Sequence, residues 1–271
     1  MNKAIYMPKG KAGEYAKYAC NFYVGCSNDC AYCYCKKGLL GHAMGKPQAT
    51  LKKCFMDKPH AYGAFLKEFS DLQVELRQHG LFFSFTTDPL LPETQELTNA
   101  AVLYAVDNGV PCQILTKRAD FKVLRSFDYF TDKIAYGFTL TGCDDLEPGA
   151  SSNCSRIDRM RELHEKGFKT FASIEPVINL AASYKMIELS IDYCDLYKIG
   201  TLKGVKQYTP EEFHLFMADV NQLIHEHNRK VYWKDSAFQY IKADKKTFFH
   251  LVKIFNMMKY YVDYDYNMFN D

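Results

Sequence analysis

The sequence predicts an α/β fold built around a parallel sheet, and three observations indicate it. Short apolar runs alternate with longer helix-like runs along most of the chain, and brief turns separate them. The chain has 271 residues, 48% of them hydrophobic, which is enough for a large core in a single domain over residues 1–271. Polar residues follow strand after strand, as at the carboxyl edge of a parallel sheet, where β/α proteins carry their sites.

The elements of the first half start with a short apolar run before a cysteine-rich loop. A helix over residues 58–78 comes next, and the apolar segment 81–86 is typical of a buried strand. The following helix, over 92–107, has Pro92 in its first turn and ends at Asn108-Gly109. Residues 110–116 then form a predicted strand, and 118–127 a predicted helix.

The second half repeats the same β/α unit. Strands are predicted over 133–140, 168–177, 195–200 and 231–233, and helices over 153–166, 182–190, 210–228 and 244–258. Gly167 ends the first of these helices, because glycine readily adopts the left-handed conformation that terminates helices. The repetition favours a parallel sheet, open or closed into a barrel, with a core at about 17–235 and a C-terminal extension at 236–271.

Charge and hydropathy narrow the class of partner. The net charge is +2, from 34 basic and 32 acidic residues, so we expect no long-range attraction for a polyanion. A small-molecule substrate is therefore favoured over a nucleic acid. No apolar run approaches the roughly 20 residues that span a bilayer, and the N-terminus lacks a signal-peptide pattern, which favours a cytoplasmic protein without membrane contact.

Three cysteines in one loop carry the clearest chemical signal. Cys26, Cys30 and Cys33 have the spacing C-x3-C-x2-C. Three thiolates so close in sequence can bind three irons of a [4Fe-4S] cluster and leave the fourth iron open to another ligand. The sequence therefore predicts a metal site at these three residues, and Cys35 is expected to stay outside it.

Zinc and disulfide bonds are the alternative uses of cysteine. A structural zinc site normally combines two cysteine pairs, often with histidine, whereas no second pair follows the cysteine loop here. A disulfide framework would need paired spacing, and the seven cysteines that remain from the ten are scattered along the chain. Most of those seven are expected to be small buried apolar residues.

Polar residues at the ends of the predicted strands form a second signal. Any single one could be a helix cap or a turn residue, since Thr, Ser and Asp favour caps. Their recurrence at each strand end instead predicts a ring around a substrate cavity. They lie at 86–89, 116–117, 139–141, 173–176, 200–201 and 234–235.

The cysteine motif, with Tyr32 directly before the third cysteine, resembles that of the radical S-adenosylmethionine (SAM) superfamily. Further segments resemble the spore photoproduct lyase-like branch, in order over residues 5–180. They are 5–15, 21–27, 87–93, 115–118, 146–149, 156–157 and 175–177. Within this branch, the queuine lyases are similar to this chain in size.

The resemblance implies a partial (β/α)6 TIM-like barrel with short N- and C-terminal additions and the cluster at its mouth. It implies reductive cleavage of SAM to methionine and a 5'-deoxyadenosyl radical, with an external electron donor such as flavodoxin or ferredoxin. Tyr32 would contact the adenine, Asp88 the amino group, and Lys117 the carboxylate or ribose. The full set of implied SAM contacts is Tyr32, Thr87, Asp88, Lys117, Thr139, Arg156 and Ser173.

One departure from the family pattern bears on the substrate. Spore photoproduct lyases have a hydrogen-donating cysteine before the segment that corresponds to 86–88, and this chain has Phe85 there. We therefore expect a lyase that acts on a modified nucleobase, converting queuine to 7-aminomethyl-7-deazaguanine. Cys143 and Cys194 are the candidate hydrogen-atom donors among the remaining cysteines.

The substrate contacts are predicted from chemistry. An amine-bearing deazaguanine presents hydrogen-bond donors, for which carboxylates are acceptors, and its flat ring can stack on aromatic side chains. Two other functions stay open, namely a DNA or RNA repair lyase and an iron–sulfur protein that only transfers electrons. The residues predicted to bind substrate are Tyr23, Glu175, Trp233 and Asp235, with Asp144, Asp145 and Tyr232 as further candidates.

Overall fold

A mostly parallel sheet of eight strands organises the chain. The structure is a computed structural model that describes residues 3–37, 41–42, 44–202, 204, 207–254, 257, 259–263 and 266–270. Its strands are β1 (Ile5–Tyr6), β2 (Ala19–Cys20), β3 (Tyr23–Val24), β4 (Thr50–Leu51), β5 (Leu81–Phe83), β6 (Cys112–Thr116), β7 (Ile134–Thr139), β8 (Lys169–Val177), β9 (Leu196–Thr201) and β10 (Lys230–Trp233).

The strand order follows the chain with one exception. The main sheet runs β1-β2-β5-β6-β7-β8-β9-β10, while β3 and β4 form a separate antiparallel pair. Strand β1 is antiparallel to β2, and all other neighbours in the main sheet are parallel. The carboxyl ends of seven strands, β2 and β5 to β10, therefore lie at one edge of the sheet.

Helices connect the successive parallel strands except β6 and β7, which are joined by a 3-10 turn, and two more helices follow β10. They are α1 (Lys58–His79), α2 (Gln95–Asp107), α3 (Asn153–Glu165), α4 (Leu180–Ser190), α5 (Pro210–Glu226), α6 (Asp235–Tyr240) and α7 (Lys245–Ile254). The Asp57 side chain caps α1 by accepting a hydrogen bond from the His60 N–H, and Gly80 ends it. In the described part of the chain, no helix has both the length and the apolar character needed to cross a bilayer.

Two apolar layers cover the two faces of the sheet, because side chains alternate along each strand. The outer layer joins strand residues such as Tyr136 to helix residues such as Phe65 of α1. The inner layer collects Phe82, Phe171 and their neighbours, and Tyr15 from the segment between β1 and β2 packs onto it. The inner face is therefore filled with side chains, and the space for a ligand is left above it.

The predicted α/β fold is confirmed, and one predicted element is wrong. The other helices and strands occur with their ends shifted by a few residues, and the predicted end of the last helix, over 255–258, lies mostly outside the described residues. In place of the helix over 118–127, the chain has an irregular segment and a 3-10 turn at Arg125–Phe130. Two hydrogen bonds turn this segment away from a helix: the Arg118 N–H donates to Thr116 Oγ1 (2.9 Å), and the Arg118 guanidinium donates to Gly149 O (2.6 Å).

The C-terminal tail lies beside the last strand of the sheet. The Val231 N–H donates to Tyr260 O (2.8 Å), and the Val262 N–H donates to Val231 O (3.0 Å). Val262 and Met268 pack into the inner apolar layer. The tail thus extends the sheet past β10, although positions 264 and 265 lie outside the described residues.

Candidate functional site

The carboxyl ends of the strands surround a cavity of about 500 Å³. One wall is the loop after β3, which carries Cys26, Cys30 and Cys33. Another wall contains Glu175 of β8 and Lys234, the residue after β10, from the far end of the strand order. The cavity therefore brings the cysteine motif and the polar strand ends together.

Two other segments, at 46–48 and 146–149, hold the cysteine loop in place. The Cys26 N–H donates to Lys46 O (3.0 Å), and the Ala31 N–H donates to Leu146 O (2.9 Å). Gly149 packs so closely on the loop that a Cβ atom there would lie 2.0 Å from Ser27 O. At Gly25, φ is +83° and a Cβ would lie 2.2 Å from Gln48 O, so only glycine fits before the first cysteine.

Asp88 joins the cysteine loop to the end of β6. Its carboxylate is buried and accepts four hydrogen bonds, two on each oxygen. Oδ2 accepts from Asn28 Nδ2 and from the Lys117 N–H, both at 2.7 Å, and Oδ1 accepts from Thr116 Oγ1 at 2.7 Å and from the Leu90 N–H at 3.0 Å. These bonds use both oxygens fully, so Asp88 positions the loop. Its predicted contact with the SAM amino group stays a prediction.

Arg156 and Glu147 form a buried ion pair behind Tyr32. Arg156 Nη2 donates to Glu147 Oε2 (2.6 Å), and both side chains are fully buried. The remaining guanidinium nitrogens donate to Ser151 O and Thr139 O, so all of them are used inside the protein. Tyr32 Oη donates to the other Glu147 oxygen. Arg156 therefore orients Tyr32 through Glu147 and does not line the cavity among the described residues, which does not support its predicted role as a direct SAM contact.

The other six residues predicted to contact SAM all face the cavity. Thr87 Oγ1 donates to Gly25 O (2.7 Å), which ties the end of β5 to the cysteine loop. Lys117 Nζ lies 5.6 Å from the centre of the Tyr32 ring, between the loop and β6. These residues are Tyr32, Thr87, Asp88, Lys117, Thr139 and Ser173.

The thiols of the motif have different pKa shifts. Burial raises the pKa of Cys26 to about 12 and also raises that of Cys30. A hydrogen bond with the Cys35 thiol lowers the pKa of Cys33. Lys117 lowers the pKa of all three motif cysteines, because its positive charge favours the thiolate form.

This set of donors fits a [4Fe-4S] cluster held by three cysteines. All three thiols face one cavity, and a lysine beside them favours the thiolates that iron requires. Within the described residues, no three His, Cys, Asp or Glu side chains are arranged to hold a single metal ion. A cluster differs from a single ion, because each cysteine binds a different iron and the sulfurs stand farther apart.

A second polar group lies at the far wall, and Tyr15 is its centre. Tyr15 Oη donates to Glu175 Oε2 (2.9 Å) and lies 2.6 Å from Ser173 Oγ. Lys234 Nζ donates to the same Glu175 oxygen (2.6 Å) and lies 3.5 Å from Glu14 Oε2. Sequence analysis identified Glu175 and missed Tyr15, which is separated from Glu175 by 160 residues.

Lys198 lies beneath Tyr15, on the inner face of β9. Its ammonium donates to Tyr15 O (3.1 Å) and lies 5.0 Å from the centre of the Tyr15 ring. Burial, together with the charge of Lys234, lowers the pKa of Lys198 to about 7. Its signal in the sequence was a lysine inside the apolar strand Leu196–Thr201, because lysine is almost never fully buried.

Three of the four residues predicted to bind substrate are placed elsewhere, and only Glu175 lines the cavity. Trp233 packs edge-on against Phe213 and Phe216 of α5, and its Nε1 donates to Asn221 Oδ1 (2.9 Å). Asp235 forms an exposed ion pair with Lys245 (2.7 Å). Tyr23 is buried in the outer layer. These placements do not support the predicted stacking on Trp233 and Tyr23 or the acceptor role of Asp235.

The further substrate candidates have structural roles as well. Asp144 Oδ1 accepts from the N–H and the amide of Asn153 at the start of α3, and so fixes that turn. Tyr232 Oη donates to Glu14 Oε1 (3.1 Å) under the N-terminal segment. Neither Asp145 nor these two side chains line the cavity within the part of the chain that the structure describes.

The two cysteines predicted as hydrogen-atom donors do not line the cavity among the described residues. Cys194 is fully buried just before β9, at the amino edge of the sheet and opposite the cavity. Cys143 follows β7 and so lies at the carboxyl edge of the sheet, on the same side as the cavity. Burial raises the pKa of Cys143, and the negative charges of Asp145, Glu147 and Asp144 raise it further. The position of Cys194 does not support direct contact with a ligand in the cavity, and the role of Cys143 stays a prediction.

Comparison with known proteins supports the fold. No family model matches the chain. An uncharacterized protein of Methanocaldococcus jannaschii is 31% identical, over 60% of this chain and 61% of that protein. Streptococcus suis SuiB bound to the precursor peptide SuiA has a TM-score of 0.55 and 11% identity, over 83% of this chain and 50% of SuiB.

A second SuiB structure, bound to S-adenosylmethionine, has a TM-score of 0.42 and 12% identity, over 57% of this chain and 36% of SuiB. The chain thus spans less than two thirds of the length of each of these proteins. At 11% identity, the likeness to peptide-bound SuiB establishes the α/β fold with its mostly parallel sheet.

Proposed function

We propose that this chain is a radical SAM enzyme. One observation carries the proposal: Cys26, Cys30 and Cys33 line the same cavity as the polar residues at the carboxyl ends of the strands. A protein that only transferred electrons would need the cysteines but not a ligand cavity of about 500 Å³ beside them. The likeness to SuiB supports the fold, and the cysteines beside the cavity support the proposed cofactor.

The chain's own residues would prepare this site. Cys26, Cys30 and Cys33 would hold a [4Fe-4S] cluster, and Lys117 would balance its negative charge and attract the carboxylate of SAM. A cluster bound there would supply an electron for the reductive cleavage of SAM to methionine and a 5'-deoxyadenosyl radical. Tyr32, held by Glu147, would position the adenine, and Thr139 offers a hydroxyl on the cavity wall. An acidic flavodoxin or ferredoxin would serve as the electron donor.

A test of this function needs no known substrate. Protein reconstituted anaerobically with iron and sulfide, and then given SAM and dithionite, is expected to release 5'-deoxyadenosine and methionine. Lys117→Ala should keep its iron but weaken SAM binding about tenfold, since it removes a charge-assisted contact. The exposed Lys185→Ala, whose ion pair with Glu188 lies outside the cavity, should bind SAM normally. Absence of 5'-deoxyadenosine from iron-loaded protein would contradict the proposal.

For the substrate, we propose a modified nucleobase, with queuine converted to 7-aminomethyl-7-deazaguanine. Support comes from the family resemblance and from Glu175, a partly exposed carboxylate on the cavity wall. Incubation of the loaded enzyme with queuine, SAM and reductant should form the aminomethyl deazaguanine, detected by mass spectrometry. Unchanged queuine under conditions that release 5'-deoxyadenosine would refute this substrate and leave the radical SAM assignment standing.

A polynucleotide is the second candidate substrate. Lys9, Lys11 and Lys46 line the cavity, and all three are exposed to solvent. Lysines at the mouth of a site can bind phosphate groups, in which case affinity falls steeply as salt rises. Binding of ultraviolet-damaged DNA that weakens with salt, followed by its repair, would move the assignment to a DNA lyase despite Phe85.

A further inference from the structure

Glu175 presents one carboxylate oxygen to the cavity. Its Oε2 accepts hydrogen bonds from Tyr15 Oη and Lys234 Nζ. Its Oε1 accepts none from the described residues, and Lys11 Nζ lies 4.0 Å away, beyond hydrogen-bond distance. The side chain is 17% exposed, so a ligand can reach the free oxygen. The second oxygen of this carboxylate can therefore accept a hydrogen bond from a ligand in the cavity.

The groups that hold Glu175 are buried and mutually bonded. The Lys234 side chain is fully buried, and its ammonium also donates to Lys11 O (3.1 Å). Tyr15 and Ser173 are also buried, so Tyr15 cannot swing away from the carboxylate without losing two hydrogen bonds. Gly200 of β9 lies opposite Glu175 Oε1. A Cβ atom at Gly200 would lie 3.1 Å from this oxygen, and because glycine has no side chain the oxygen is left uncovered on that side. The acceptor is thus fixed in direction before any ligand arrives.

The charges around Glu175 do not favour a cation. Two carboxylates, of Glu14 and Glu175, face the ammonium groups of Lys11 and Lys234, and Lys198 lies below them. Negative charge is therefore at most balanced, and an incoming ammonium ion would meet lysines as well as acceptors. A neutral N–H donor gains the hydrogen bond to Oε1 without that repulsion. Lys11 Nζ, which donates to Thr201 O at 3.3 Å, has further N–H groups for an acceptor on the same ligand.

From this geometry we infer that Glu175 Oε1 and Lys11 Nζ bind the neutral lactam edge of a heterocyclic substrate. The lactam N–H donates to Glu175, and the neighbouring carbonyl accepts from Lys11. The substrate class is a heterocycle with adjacent N–H and C=O groups, of the kind found in guanine, and an exocyclic amine is not what Glu175 recognises. The inference rests on the proposed function, in which the substrate binds in the same cavity as the cysteines. The lactam edge would lie at the wall away from the cysteines.

Calorimetric titration with 7-deazaguanine tests the inference directly. The probe carries the lactam edge and lacks an amine side chain, and it is titrated into cluster-loaded protein with SAM present. It should bind, and Glu175→Gln should weaken binding by about tenfold or more, since a charged acceptor is lost. Asp235→Asn is the matched control, because Asp235 is a strand-end acid that faces Lys245 outside the cavity. It should bind the probe like the unmodified protein.

Two further ligands keep the test independent of protein folding. In 7-deazaadenine the lactam edge is replaced by a ring nitrogen acceptor and an amino group, so it should not compete with 7-deazaguanine for the unmodified protein. Cyclopentylamine offers an ammonium group without a lactam and should not compete either. Competition by either ligand, or equal binding of 7-deazaguanine by the Glu175→Gln variant, would overturn the inference.

The outcomes also separate this inference from the proposed function. If the protein cleaves SAM but does not bind 7-deazaguanine, the lactam site is wrong and the radical SAM assignment stands. If 7-deazaguanine binds in a Glu175-dependent manner but iron-loaded protein releases no 5'-deoxyadenosine, the lactam site stands and the radical SAM assignment fails.

Discussion

Asp88 and Glu175 are both strand-end carboxylates, but their hydrogen bonds give them different roles. Asp88 uses both oxygens inside the protein, whereas Glu175 leaves one oxygen toward the cavity. The sequence predicts both as site residues because each lies at the carboxyl end of a predicted strand. It cannot distinguish them, since the partners of Glu175 lie 59 and 160 residues away. Residue type and strand position thus predict the location of a site, and only tertiary contacts show which atoms are free.

Lys198 should give the protein a measurable dependence of stability on pH. The pKa of Lys198 falls from the ordinary lysine value of 10.5 to about 7, mainly because the side chain is buried. The positive charge of Lys234 also lowers this pKa, whereas the negative charge of Glu14 raises it. Between those values the unfolded chain holds a proton that the folded chain has released. Unfolding then takes up a proton, so the free energy of unfolding rises with pH by up to about 1.4 kcal/mol per unit.

Replacement of this lysine should remove that dependence. Lys198→Met has no proton to release, so its free energy of unfolding should change less between pH 7 and 9 than that of the unmodified protein, by up to about 1.4 kcal/mol per unit. Urea denaturation at pH 7, 8 and 9 measures the difference. Lys185→Met, at an exposed ion pair, should keep the original slope. Parallel slopes for Lys198→Met and the unmodified protein would show that Lys198 stays charged.

Among the elements, the regular ones were predicted well and the connections were not. Helix α5 has a capping box at Thr209 and Glu212, and its apolar periodicity is strong, so its start and its type follow from local sequence. The segment after β6 has helix-compatible residues over 118–127, but its hydrogen bonds go to the loop at 144–151. Local patterns contain no information on such contacts, which explains the false helix.

The contact between the 144–151 loop and the cysteine loop provides a test at the element scale. Gly149→Ala would place a methyl group 2.0 Å from Ser27 O, so the two loops must separate. We expect the free energy of unfolding to fall by about 1–3 kcal/mol, as in other overpacked sites, and reconstituted iron to fall with it. Iron analysis and denaturant unfolding measure the two effects.

A second glycine provides the control for that substitution. Gly63 lies on the exposed face of α1, and a methyl group added there would have nothing within 4 Å. Gly63→Ala should therefore raise the free energy of unfolding by about 0.5–1 kcal/mol, because alanine favours the helix, and should leave the iron content unchanged. Full iron content in Gly149→Ala would mean that the cysteine loop does not depend on its neighbour.

For the whole molecule, the alternation of strands and helices was sufficient to predict the parallel sheet and the edge at which the cavity lies. What it did not predict is how the chain ends cover the sheet. Tyr15, in the segment between β1 and β2, packs into the inner apolar layer. Val262 forms a backbone hydrogen bond with Val231 of β10, at the other edge of the sheet. Both placements depend on contacts between residues far apart in the chain or on short irregular segments, for which periodicity gives no signal.

We propose that Cys26, Cys30 and Cys33 hold a four-iron cluster and that Cys35 does not take part, although Cys35 also faces the cavity. Iron content after anaerobic reconstitution tests it most directly, in the unmodified protein and in four single Cys→Ala variants. We predict about four irons per chain for the unmodified protein and for Cys35→Ala, and well under half of that for each of the other three. Equal loss of iron in all four variants, or full iron in Cys26→Ala, Cys30→Ala or Cys33→Ala, would contradict the account.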